Sequence, residues 1–353
     1  MVSESEVRER HQAFWERGPC DRPLGSCWIG SRFPGELYRA ADAIPVGRVL
    51  PADVDVPAFM ADYERLQRQH ESIGDDAPWV ASPFFGLPWM EAILGCPVHY
   101  SGESFWGEPI IADWQTRPTL PLPEGKEWLG KLLEFTEALV RLADGRYPVA
   151  TTLMRGPSDL LAALRGHAEM IYDLYDHPAE LAELGETATG LWIEVARAQL
   201  DRIPPFAGGY ACHFYRAWAP DRVVCTQEDA SASFSPSLFG RFLLPADRRI
   251  AAAFPFTVMH IHSPATWPVE QLLTPEGPTC IEINYDDNGP RLPELLPLLR
   301  RVQETKPLII RGAFTADELS FVKRELSPRG LLLNIVADSA ARARALMAVL
   351  RGG

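Results

Sequence analysis

Strands and helices alternate regularly through the last quarter of the chain, and this alternation is the strongest constraint on the fold. Short apolar runs rich in β-branched residues predict strands, and amphipathic stretches between them predict helices. The predicted elements are strand 279–284, helix 292–304, strand 307–311, helix 315–325, strand 330–336 and helix 338–350. Strands separated by helices of this length form parallel βαβ units. The pattern therefore predicts an α/β protein with a parallel sheet.

The length of the chain favours one particular α/β architecture. A (β/α)8 TIM barrel takes roughly 250 residues before insertions, and this chain has 353. We predict one structural domain, in which residues 1–125 form an irregular and helical N-terminal cap with the first barrel elements, and residues 126–353 form the remainder of the barrel. The eight strands are expected mostly between residues 78 and 336, with further strands near 148–153, 222–227 and 256–261.

Several helices are predicted before the final alternating region. Each has apolar residues at helical spacing and is bounded by Pro, Gly or Asp. Their ranges are 4–15, 56–70, 88–94, 128–142, 168–175, 178–200 and 238–254. Aromatic residues are dense between residues 79 and 114. They are expected to cover one end of the barrel, where they would also wall a ligand pocket.

Two histidines stand at the end of a predicted strand. His260 and His262 are separated by one residue and follow an apolar run. Alternate strand residues point to the same face, so both imidazoles project together, at the strand end where barrel enzymes carry their chemistry. On the next strand, the same spacing places Cys280 and Glu282 on one face. Imidazole, thiolate and carboxylate are zinc ligands, although a plain structural role for each histidine stays open.

Three further charged residues are predicted to lie at strand ends. Asp229 ends the strand before the histidine strand, where it would orient an imidazole, meet a cationic group or cap the following helix. Arg155 and Arg311 are candidate anion-binding residues, with structural ion pairs as the alternative. Asp286, in the turn after Glu282, is a secondary candidate.

Composition excludes some classes of function. The net charge is -13 and no cluster of Lys and Arg occurs, which argues against nucleic-acid binding. No apolar run approaches the ~18 residues of a membrane span, and the polar N-terminus is unlike a signal peptide. The six cysteines are scattered without CxxC pairs, which is typical of reduced thiols. We therefore expect a cytoplasmic protein that acts on a small molecule, with a homodimer as one open arrangement.

The order of motifs resembles the uroporphyrinogen decarboxylase superfamily. The resemblance covers roughly residues 125–350 and rests on Asp176-His177-Pro178 before a long helix, Gln227-Glu228-Asp229 at a strand end, and Ser235-Pro236-Ser237-Leu238-Phe239. It implies a (β/α)8 barrel. The superfamily also contains zinc-dependent methyltransferases that move methyl groups between corrinoid proteins and thiols, and cobalamin-independent methionine synthase is related to it in fold.

The residues fit the methyltransferases better than the decarboxylases. The arginine motif of the decarboxylases is reduced to Arg32, and their C-terminal Gly-His-Gly is absent. The resemblance implies that His260 is the metal histidine, with His262 in place of the family's cysteine and Glu282 where the methionine synthases have a metal-binding glutamate. The family's later cysteine has no counterpart between residues 334 and 339.

Two functional hypotheses follow. The first is a zinc-dependent methyl (one-carbon) transferase, with metal ligands His260, His262, Glu282 and Cys280, and with Asp229, Glu282, Arg311 and Arg155 as catalytic residues. It would act with a corrinoid protein or a small methyl donor and a thiol acceptor. The second is a metal-free barrel, either a lyase or a small-molecule binder, that uses His260 and His262 as acid and base.

Overall fold

The computed structural model describes residues 3–30 and 34–352. Six parallel strands form a curled sheet at the centre of the molecule, and α-helices pack around it. The strands, in chain order, are β1 (Leu24–Ile29), β2 (Gly47–Val49), β3 (Val98–Tyr100), β4 (Phe105–Gly107), β5 (Tyr210–Ala211), β6 (Trp218–Ala219), β7 (Val223–Gln227), β8 (Phe256–His262), β9 (Cys280–Tyr285), β10 (Leu308–Gly312) and β11 (Leu331–Ala337).

The α-helices confirm most of the predicted helical segments. They are α1 (Glu4–Trp15), α2 (Pro34–Leu37), α3 (Val56–Glu71), α4 (Trp89–Leu94), α5 (Glu124–Ala143), α6 (Pro157–Arg165), α7 (His167–Asp176), α8 (Pro178–Leu200), α9 (Pro236–Phe242), α10 (Leu244–Ala253), α11 (Val269–Leu272), α12 (Leu292–Thr305), α13 (Ala316–Glu325) and α14 (Ala340–Arg351). The predicted helix over 238–254 is wrong in one respect, because it divides at Leu243 into α9 and α10. Pro245 has no N–H to continue the helix and instead lies in the first turn of the next one.

The main sheet has the order β1-β11-β10-β9-β8-β7. Its strands from β7 onward confirm the predicted ones to within two residues at each end. The strands are almost wholly buried, as expected when helices cover a parallel sheet. In the register, Gln227 lies beside His260, and His260 lies beside Glu282. The sheet therefore places polar side chains from three neighbouring strands next to one another, toward the carboxyl ends of those strands.

The N-terminal part of the chain contains a strand of the main sheet before residue 78, earlier than most of the strands were expected. β1, in a segment predicted to be irregular, pairs with β11 and is an edge strand of the main sheet. β2, β3 and β4 form a separate antiparallel sheet. Among the described residues, no helix is both long and apolar enough to cross a membrane.

The predicted strand at 148–153 is also wrong as a regular strand. One parallel bridge joins Val149 to Ala81. Beyond it, the backbone N–H of Thr152 donates to the side chain of Gln199 at 2.9 Å instead of to a neighbouring strand. Just after this segment, Gly156 lies against β7, because a Cβ added to Gly156 would be 1.7 Å from the carbonyl oxygen of Gln227. Two extended segments, around Ala81 and Val149, thus lie outside the six-stranded sheet.

Candidate metal centre

Two imidazoles face each other at the carboxyl end of β8. The Nε2 atoms of His260 and His262 are 3.2 Å apart, and the rings are nearly perpendicular. The arrangement follows from the alternation of side chains along a strand, which puts both histidines on one face. His260 is the more buried of the two, with 15% of its side chain exposed against 41% for His262. One edge of the pair is therefore open to solvent.

A carboxylate holds the opposite nitrogen of each imidazole. Glu282, fully buried and directly across from His260 in the register, accepts a hydrogen bond from His260 Nδ1. Asp286, just beyond β9, lies 2.9 Å from His262 Nδ1 and also accepts from the backbone N–H of Ser263 at 3.1 Å. These contacts fix the orientation of both rings. They have the carboxylate–histidine geometry that supports metal-binding imidazoles.

The carboxylates also alter the titration of the site. Burial alone would lower the pKa of His260, but the adjacent Glu282 carboxylate outweighs it and raises that pKa to about 9. Burial works against ionisation of Asp286, yet its hydrogen bond with His262 lowers the pKa of this carboxyl. His260 therefore lies in surroundings that favour its protonated form.

Asp229 is the third group at the site. Its Oδ1 atom lies 3.8 Å from His260 Nε2 and 3.7 Å from His262 Nε2. Its other oxygen accepts a hydrogen bond from Gln227 Nε2 at 2.8 Å. Gln227 thus turns one oxygen away and leaves Oδ1 directed toward the two imidazoles. Among the described residues, Asp229, His260 and His262 form the group whose ligand atoms lie within 4.8 Å of one another.

The chemistry of these three atoms favours a cation between them. Because each Nδ1 donates its hydrogen to a carboxylate, a neutral imidazole here has a bare lone pair at Nε2. In this neutral form, two such nitrogens and a carboxylate oxygen converge as three ligand atoms, and a bound cation would displace the proton that the raised pKa of His260 keeps there at neutral pH. Tetrahedral zinc, with Zn–N bonds of 2.0–2.1 Å, places two nitrogens about 3.3 Å apart. The observed 3.2 Å between the two Nε2 atoms fits that spacing.

Cys280 and Glu282 do not point their side-chain ligand atoms at the place where the two Nε2 atoms and Asp229 converge. Cys280 pairs with Val258, one inward-facing layer below His260, and packs in an apolar cluster. Burial raises the pKa of its thiol well above the usual value, which opposes formation of a thiolate. Cys280 is outside the group of converging ligand atoms. Glu282 contacts the far side of His260, which is the place of an orienting residue.

The two predicted arginines line different cavities. Arg311 borders a cavity of about 210 Å³ together with both histidines. Its Nε donates to Asn334 Oδ1 at 3.1 Å, and its guanidinium lies over the ring of Trp28. Arg155 borders a larger neighbouring cavity of about 910 Å³ and forms an ion pair with buried Glu91 at 3.0 Å. The structure therefore brings Arg311 to the histidines, and Arg155 to an adjoining space.

The two cavities adjoin each other. Leu153 and Phe214 line both, so an apolar boundary separates the histidine site from the wider space. The larger cavity is bordered by the loop between β3 and β4 and by residues near α2, which belong to the predicted cap. A small chemical group would fit in the cavity beside the histidines, and a larger molecule would fit in the wider cavity next to it.

Sequence reasoning missed two residues of the site. Gln227 belongs to the Gln227-Glu228-Asp229 motif, and its spacing of two from Asp229 is the sequence signal for a shared location. Tyr215, whose hydroxyl lies 3.1 Å from His260 Nδ1, comes from the loop between β5 and β6. No local pattern marks that loop, since it reaches the site through tertiary packing alone.

The comparisons with known proteins support the fold. No family model matches the chain, and no curated protein matches it by sequence. Among solved structures, the chain is similar to a methyltransferase from Methanosarcina mazei, with a TM-score of 0.67 and 17% sequence identity. The match covers 98% of each chain. The two proteins therefore share an overall architecture along their whole length.

Proposed function

We propose that this protein is a zinc-dependent methyl (one-carbon) transferase of the uroporphyrinogen decarboxylase superfamily. The observation that carries the proposal is the convergence of three ligand atoms, one each from His260, His262 and Asp229, within 4.8 Å of one another. These residues would hold zinc and leave a fourth position facing the cavity, as in catalytic zinc sites. The similarity in fold to a methyltransferase supports the choice of reaction.

In this proposal the protein groups have separate tasks. A bound zinc ion would hold a substrate thiol as its thiolate at neutral pH. Glu282 and Asp286 orient the imidazoles, and Gln227 orients Asp229. Leu153 and Phe214 supply an apolar wall beside the reacting group. Arg311 gives the cavity positive charge that would attract an anionic part of the substrate.

The size of the larger cavity indicates where a methyl donor would bind. Its volume of about 910 Å³ exceeds what a small thiol requires. A corrinoid carried by a partner protein, or a small methyl donor, would approach from that side. Arg155, held by Glu91, would contact a polar part of the donor there.

We also infer that the fold is a complete (β/α)8 barrel. The extended segments around Ala81 and Val149 would supply the remaining two strands between β1 and β7. The parallel bridge between Ala81 and Val149, and the close approach of Gly156 to Gln227, support this interpretation.

Metal analysis of the purified protein tests the proposal. Protein prepared without chelator should contain near-stoichiometric zinc, and His260→Ala should contain almost none. His99→Ala is the control, since His99 lies on β3 and pairs with Glu108. The zinc-loaded protein should then transfer a methyl group from methylcobalamin to a thiol. Wild-type protein without zinc, or a His260→Ala variant that contains as much zinc as the wild type, would contradict the proposal.

One observation also favours the metal-free alternative. A single extra proton on Nε2 of His260 would convert the 3.2 Å contact into a hydrogen bond between the imidazoles. The pair could then act as acid and base in a lyase. Wild-type protein that neither contains zinc nor binds added zinc would favour this function.

A further inference from the structure

A second polar cluster lies behind the candidate metal centre, around the ring of Trp28. Arg216 and His213 are buried, with 5% and 6% of their surfaces exposed. Both line the same small cavity of about 20 Å³, which is enough for one water-sized particle. His213 packs edge-to-face on Trp28, and the guanidinium of Arg216 lies 6.0 Å from the Trp28 ring.

Within residues 3–30 and 34–352, three buried nitrogens of this cluster have no hydrogen-bond partner. Nε and Nη1 of Arg216 and Nδ1 of His213 are buried and unpartnered. A guanidinium keeps its charge at any physiological pH, so its nitrogens always donate. Asp75 lies 3.9 Å from Arg216 Nη1, which is beyond hydrogen-bond distance. Buried donors left in this state cost free energy, and a guest that accepts their hydrogen bonds would remove that cost.

The nearest carboxylate does not complete the cluster. Asp75 Oδ2 accepts from the backbone N–H of Cys27 at 2.7 Å and contacts His70 Nε2 at 3.0 Å. A water molecule that accepted hydrogen bonds from Arg216 and His213 would still need acceptors for its own two hydrogens. An anion has no such need. Asp75 offsets the guanidinium charge from 3.9 Å without accepting a hydrogen bond from it, so Nε and Nη1 of Arg216 stay available to an anion.

The backbone is strained at the same place. Arg216 has a φ of 53°, in the left-handed region that residues with a Cβ rarely adopt. Strain of this kind persists only where surrounding contacts impose it, and it often marks functional positions. The strained loop also carries Phe214 and Tyr215, which line the histidine cavity.

We propose that Arg216 and His213 form a binding site for one small monovalent anion of the size of chloride. The anion accepts hydrogen bonds from the guanidinium and from the Nδ1–H tautomer of His213. It lies beneath the loop that presents Tyr215 to the candidate metal centre. This site is independent of the proposed zinc chemistry.

Bromide provides the direct test. Crystals grown in sodium bromide should show an anomalous peak within hydrogen-bond distance of Arg216 and His213. In solution, chloride and bromide should raise the thermal midpoint by about 2 °C in a saturable manner, while gluconate at equal ionic strength should not. An ordered water without anomalous signal, together with equal midpoints in all three salts, would overturn the proposal.

Substitutions at the site distinguish specific anion binding from a general effect of salt on stability. His213→Phe keeps an aromatic ring against Trp28 but removes the donor, and Arg216→Lys keeps the charge but removes the planar set of donors. Both should lose the difference between chloride and gluconate. Arg249→Lys, at an exposed ion pair with Glu186, should keep it. If the buried variants do not fold, the bromide crystals of the wild-type protein still decide the question.

Discussion

The Nε2 atoms of His260 and His262 point at each other across 3.2 Å, while the Nδ1 atoms of both rings point at carboxylates. Two neighbouring strands produce this arrangement. β8 supplies both imidazoles on one face, and β9 and the turn after it supply Glu282 and Asp286. Each ring is thereby fixed in orientation before any ligand arrives, and that preorganisation guides the predictions below.

The orienting carboxylates should control zinc affinity without binding the metal. We expect Glu282→Gln and Asp286→Asn each to weaken zinc binding about 10–100-fold, since loss of such partners frees the ring and lowers its basicity. Competition with a chromogenic chelator measures the change. Asp287→Asn is the matched control, because Asp287 is exposed in the same turn. Equal affinities in all four proteins would show that the carboxylates have no such role.

The identity of the third ligand is a separate prediction. Asp229→Ala should abolish stoichiometric zinc binding, because its Oδ1 atom is the carboxylate oxygen turned toward both Nε2 atoms. Cys280→Ser should keep the zinc, since the thiol lies in the apolar layer below. Elemental analysis and X-ray absorption, which detects a Zn–S bond at about 2.3 Å, distinguish the two. The reverse result would restore the ligand set expected from the sequence.

Asp76 should make the protein sensitive to acid. It is buried, forms an ion pair with Arg10 at 2.6 Å, and accepts hydrogen bonds from Arg22 at 2.8 Å and from the backbone N–H of Gly25 at 2.9 Å. Burial opposes its ionisation, but the arginines outweigh this and lower its pKa to about 2. The folded state thus holds the carboxylate more strongly than the unfolded state does. The resulting stability is present above pH ~4 and is lost as the pH falls toward 2.

Substitution of Asp76 measures this contribution. Asp76→Asn should lower the free energy of unfolding at pH 7 by about 3 kcal/mol, because it leaves partly buried arginines without their partner. It should also flatten the dependence of stability on pH between 4 and 2. Denaturant unfolding at several pH values gives both quantities. Asp21→Asn, at an exposed position, is the control, and an equal loss in that variant would refute the assignment.

Two glycines should respond to alanine in opposite directions. A Cβ at Gly156 would lie 1.7 Å from the carbonyl oxygen of Gln227, so Gly156→Ala should destabilise the fold and displace the residue that orients Asp229. Gly130 is exposed within α5, and a Cβ there meets nothing within 4 Å. Gly130→Ala should therefore stabilise the protein by about 1 kcal/mol. Thermal unfolding of both variants measures the two changes in stability. Zinc binding by Gly156→Ala measures the effect on the site.

The sequence alone was enough to identify the elements with strong periodic patterns. The strands from β7 onward and helices such as α1 and α8 were predicted within a few residues, because burial of one face imposes a regular spacing of apolar residues. β1 was missed because Gly, Ser and Cys weaken its apolar pattern. Its place in the sheet depends on pairing with β11, which lies at the other end of the chain.

The histidine pair was predictable in the same way, since a spacing of two on a strand needs no tertiary information. The roles of its neighbours were not predictable. The register between strands decides whether Glu282 binds a metal or orients His260, and whether Cys280 reaches the site. Register and loop packing together bring Gln227 and Tyr215 to its border. A shift of one residue in register would turn each side chain to the other face. The sequence by itself therefore determined the chemistry available at this strand end, and only the tertiary structure decided which atoms meet.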